Sequence, residues 1–91
     1  MRQDDAEVIA LGALAWLAQA ELLDTFQGAT GADRETIRGA AADPDFLGAV
    51  LDFVLLNDDW VQGVCTAQSL PFDRLLQART ALPGGQLPHW T

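Results

Sequence analysis

Lysine and tyrosine are absent from this 91-residue chain, and cysteine and histidine occur once each. A lone cysteine excludes an intramolecular disulfide, and Cys65 with His89 cannot supply the ligand set of a Cys/His zinc site. No metal or cofactor is expected, and a reducing cytoplasm is the simplest setting for the unpaired thiol. Positive charge is also scarce: five arginines face 13 Asp and Glu residues, a formal net charge of −8. That balance repels nucleic acid, whose binding rests on Lys and Arg neutralising phosphates, and it disfavours an anionic membrane surface. A basic protein partner suits it, although high net charge also serves solubility alone.

Long hydrophobic runs are missing as well. The apolar stretch from Val8 to Ala18 falls short of the roughly 20 residues of a membrane span. Its preceding segment, MRQDDAE, is acidic where a secretory signal is basic, so the stretch reads as a helix of a soluble protein.

What remains is a chain 49% hydrophobic and 20% charged, on the globular side of the boundary with disorder. Residues 1–91 read as one small domain, with a helical body over about 4–82 and a C-terminal strap over about 83–91. Chains this short bury only about 60–65% of the surface their unfolded form exposes, so the core has to be economical.

Helical signals dominate. A first helix is expected from Asp4 or Asp5, with Asp4 and Glu7 as a capping box and an apolar surface nearly all round. A second runs through ELLDTFQ from Glu21 and stops at Gly28. Asp33 caps a third, with Ile37 and Ala41 inward and Arg34 and Arg38 one turn apart on the other side. Asp43 and Pro44 open a fourth, the expected centre of the core, with Pro44 where a missing N–H costs nothing. Asn57, Asp58 and Asp59 cap a fifth, striped by Trp60, Val61, Val64 and Cys65. A sixth follows Pro71, with Phe72, Leu75, Leu76, Arg79 and Leu82 on one side, and Pro83-Gly84-Gly85 ends it. The fold class expected is all-α: a compact orthogonal bundle of five to six short helices with a non-helical C-terminal segment packed on it.

Each group that suggests chemistry has a plainer reading. Asp45 and Asp52 lie on one side of the fourth helix with Gly48 and Ala49 between them, which makes them a solvated stripe, a carboxylate pair or a close-approach seam. The Asn57–Asp59 run lacks the alternating oxygens, central glycine and bidentate glutamate of a calcium loop. Cys65 on an apolar stripe is packing rather than a nucleophile. The two helices across 33–56 resemble a helix-turn-helix, but the second offers acids and apolar residues where base readout needs Arg, Lys, Asn or Gln. His89, the only conventional general base, has no nucleophile nominated beside it. Leu87 and Trp90 read as a strap docked on the body, with Pro83 and Pro88 limiting the freedom lost on docking.

The segments ALAWLA, GATGA, AADPDFLGAVLDFVL, ARTALPGG and PHWT resemble the bacterial family known as domain of unknown function 3572. The resemblance spans nearly the whole chain. It implies a small all-helical bacterial protein and brings no activity, cofactor or catalytic residue with it.

The function expected is therefore that of a small acidic protein–protein interaction module without catalysis. Its surface comprises Asp45, Asp52, Asp58 and Asp59 with His89 and Trp90 beside them. A basic, arginine-rich protein suits that charge, and a homodimer through surplus apolar helix faces stands equal to it. The alternative is a small ligand-binding domain or enzyme with an interhelical pocket near His89 or the Asp45/Asp52 pair.

Overall fold

The longest helix, α1 (Gln3–Gln19), presents alanines at 6, 10 and 13 and a leucine at 17 along one side, all fully buried. This spacing of four, three and four residues draws a narrow stripe along a 3.6-residue helix, and its small side chains admit close neighbours. Against α1 pack α4 (Pro44–Leu55), α5 (Asp58–Gln68) and α6 (Phe72–Ala81), which also touch one another. The computed structural model describes residues 1–39 and 42–83, and among these there are six helices and no strand. The expectations placed on Ala41, Leu87, His89 and Trp90, and on a strap beyond Pro83, lie outside the described residues.

The fourth helix begins as its sequence dictates. The Asp43 carboxylate accepts from the Phe46 N–H at 3.2 Å and Pro44 occupies the first turn. Seven of its 12 residues are buried, among them Leu47, Val50, Leu51 and Val54 at zero exposure. Asn57 caps α5 through Asp59 N–H at 2.8 Å and Trp60 N–H at 3.4 Å. Trp60 stacks on Phe53 of α4 with centroids 4.8 Å apart.

The two remaining helices, α2 (Leu23–Thr30) and α3 (Arg34–Arg38), are short. The axis turns by 116° between α1 and α2. One side chain fastens α2: Phe26 is fully buried and meets the rings of Phe46 and Phe53 edge-on, at 5.7 and 5.2 Å. The Asp33 carboxylate caps α3 as expected, accepting from both the N–H and the hydroxyl of Thr36.

Three expected boundaries are corrected. The first helix opens at Gln3 without a side-chain cap, so Asp4 and Asp5 fall inside the first turn, where carboxylates complement the helix dipole. Glu7 bonds Gln3 instead of closing a box with Asp4. Glu21 does not start α2: it holds a left-handed turn (φ 61°), and the next N–H, of Leu22, reaches back to the Leu17 carbonyl at 2.9 Å. Gly28 then lies within α2, and the left-handed stop falls to Gly31, φ 74°. On α6, the buried line is Leu75, Ala78 and Leu82, whereas Phe72 and Leu76 are more than half exposed. These two sit a turn apart on the exposed side of α6.

Glycines set the closest approaches. Trp16 of α1 lies over Gly63 of α5, and a methyl group at 63 would stand 2.2 Å from the indole. One turn along α1, Gly12 leaves room for Gln68 of α5, whose amide donates to the Ile9 carbonyl at 3.1 Å. The two helices thus exchange a large side chain for a glycine in both directions.

Gly63→Ala is therefore expected to destabilise the protein by about 1–3 kcal/mol through displacement of Trp16. Gly28→Ala, where nothing lies within 4 Å, should stabilise by up to about 1 kcal/mol through helix propensity. Thermal unfolding followed by circular dichroism checks both, and equal melting temperatures for the two variants would contradict this account of Gly63.

Candidate interaction surface

Among the described residues, no group of three or more His, Cys, Asp or Glu side chains is placed to hold a metal ion. Cys65 is buried, 3.8 Å from the Pro71 carbonyl, and burial pushes its thiol up from the ordinary value, which disfavours the reactive thiolate. No single helix among the described residues is long and apolar enough to cross a membrane.

The acidic residues divide by their surroundings. Asp45 is exposed in the first turn of α4. Asp52, two turns on, is joined by the guanidinium of Arg79 from α6. Arg79 Nε donates to Oδ1 and Nη2 to Oδ2, the latter at 2.9 Å, while Nη1 donates to the Pro83 carbonyl at 3.2 Å. The Arg79 side chain is only 13% exposed and that of Asp52 58%. Gly48, one turn before Asp52, admits this arrangement, since a methyl group there would meet Nη1 at 3.0 Å and the Pro83 carbonyl at 3.2 Å. The structure thus gives Asp45 and Asp52 different surroundings, and the small-residue seam between them receives the chain's own Arg79. Asp58 and Asp59 are exposed at the start of α5.

Beside Asp52 runs a groove of about 230 Å³ between α2 and α4, lined by Ala29, Thr30, Ala49, Asp52, Phe53 and Leu56. Leu56, at the corner between α4 and α5, is 79% exposed. The expected surface named the carboxylates around this corner but not Leu56. The signal was present: it closes the apolar run PDFLGAVLDFVLL immediately before the cap at Asn57, where the helix axis ends and one side chain has nothing left to face.

A second groove, of about 300 Å³, lies between α2 and α3, lined by Leu23, Asp24 and Gln27 and by Arg34, Ile37 and Arg38. Arg38 approaches Glu35 at 3.9 Å, with both side chains largely in water. The position of α3 depends on its cap, and Asp33 is held below the usual carboxylate range first by the Thr36 N–H and then by the Thr36 hydroxyl.

A compact all-α bundle with an acidic, partly apolar corner is the class of protein these features define. Residues 3–85 match the family described as a protein of unknown function, DUF3572, and the chain belongs to that family. No curated protein and no solved structure matches the chain.

Replacing Asp52 by Ala removes the partner of a mostly buried guanidinium and should cost about 1 kcal/mol, because half of the pair is in water. Asp45→Ala should stay within about 0.5 kcal/mol. Urea midpoints at a constant slope measure the difference. A lowered carboxyl contributes stability in full above its unfolded value of about 3.9, and that stability is lost as pH falls through the folded value. The Thr36 amide resonance should therefore shift with a midpoint below about 3.9 as Asp33 protonates, and Asp33→Asn should abolish that titration.

Proposed function

We propose that the protein is a binding module which docks a segment of a partner protein at the corner between α4 and α5, without a catalytic step of its own. The observation that carries this reading is Leu56: a leucine 79% exposed at the edge of a groove, followed in the chain by the exposed carboxylates of Asp58 and Asp59. Apolar anchors seated in a pocket supply most binding energy at interfaces, and the charged rim steers the encounter and selects the partner's sign. The matching partner presents an apolar residue flanked by basic ones.

Docking is favoured over chemistry by the state of Asp52. Both oxygens of this carboxylate at the groove's edge are engaged by Arg79, which leaves it ill suited to proton transfer at the same place. The unpaired Cys65 suits a reducing compartment such as the cytoplasm.

Affinity capture with the purified full-length chain tests the reading. Proteins retained by the wild type should be lost or weakened about tenfold with Leu56→Asp, and kept by Leu76→Ser, which changes an exposed leucine on α6. Both variants should melt where the wild type does. Retention of every partner by Leu56→Asp would overturn the assignment of this corner.

A further inference from the structure

The two grooves share helix α2 and differ in the charges beside them. Toward the C-terminal end of α2, Ala29 and Thr30 share a groove with the Leu56 corner, and two carboxylates, Asp58 and Asp59, follow Leu56 within three residues. At the second groove, Arg34 and Arg38, one turn apart, join the apolar side chains of Leu23 and Ile37. Two of the five basic residues of a chain of net charge −8 thus gather at one concavity. Asp24 at its edge offsets part of that charge. The contact between Arg38 and Glu35, at 3.9 Å with side chains 76% and 86% exposed, is too hydrated to hold the guanidinium against a better partner.

We propose that the protein pairs with a second copy of itself across α2, the Leu56 corner of each copy seated in the Arg34/Arg38 groove of the other. This rests on the reading of the Leu56 corner as a docking face and names its partner. The leucine meets Leu23 and Ile37, and Asp58 and Asp59 meet the two arginines. Where a two-fold axis seats the corner of one copy in the groove of the other, symmetry makes the reciprocal contact as well. This is the closed, self-complementary arrangement that most homodimers adopt. The net charge opposes approach at long range. At roughly 0.15 M ionic strength, however, the screening length is about 8 Å, so repulsion between whole molecules fades while ion pairs at contact distance persist.

Size-exclusion chromatography with light scattering on the full chain tests the pairing at near-physiological salt. The wild type should move from the 9.8 kDa chain mass toward twice that value as concentration rises. Leu56→Asp, the double variant Arg34→Glu/Arg38→Glu and the double variant Asp58→Arg/Asp59→Arg should each associate at least about tenfold more weakly, with helical circular dichroism retained. Leu76→Ser should associate like the wild type. Mixing the two charge-reversed double variants restores opposite charges at both contacts, so a dimer of one copy of each should re-form. A wild type that stays monomeric overturns the pairing, as does a dimer indifferent to Leu56→Asp or a mixture that fails to associate. A monomer that still captures other proteins through Leu56 overturns the pairing alone and leaves the docking face in place.

Discussion

Three alanines and a leucine on one side of α1 set the terms for the whole bundle. Ala6, Ala10, Ala13 and Leu17 are fully buried, and their small volume lets α4, α5 and α6 share a single helix as their common neighbour. A chain this short cannot build a thick core of large residues. It places the large ones on α4, whose leucines, valines and phenylalanines fill the space the alanines leave. Alanine at these positions also favours the helix itself, so local propensity and packing agree.

The helices whose boundaries were legible in the sequence are those capped by side chains. Asp33, Asp43 and Asn57 each accept from the first turn of the helix they precede, and Pro44 adds a second mark at α4. The end that misled is the one where the backbone takes a left-handed turn on Glu21, at φ 61°. The hydrogen bond that closes this turn, Leu22 to Leu17, is backbone to backbone and leaves no trace in side-chain identity. Gly28, by contrast, looks like a stop but lies inside a helix. It is the sequence after it, with Gly31 free to take φ 74°, that ends α2.

The acidic surface was legible only as composition. Asp45 and Asp52 fall on one side of α4 by spacing alone, yet what separates them is Arg79, 27 residues further on and brought over by α6. No local pattern foretells that contact, because it depends on Gly48 being small enough for a guanidinium to lie over α4. The apolar side of the site escaped notice for a related reason. Leu56 continues a run of buried residues, and only the end of the helix at Leu55 turns it outward. Within α6, likewise, spacing offered two adjoining lines of apolar residues, and the position of α1 chose Leu75, Ala78 and Leu82 over Phe72 and Leu76.

The glycine contacts between helices also bear on how such a sequence can change over generations. Position 63 faces a rigid indole at 16, whereas the groups nearest 12 and 48 are the ends of flexible side chains, Gln68 and Arg79, that can swing aside. A larger residue is therefore accepted most easily at 12 and 48, and at 63 chiefly together with a smaller one at 16. Among diverged descendants of this fold, the imprint would be a correlated pair of columns joining a glycine on one helix to a large ring on another.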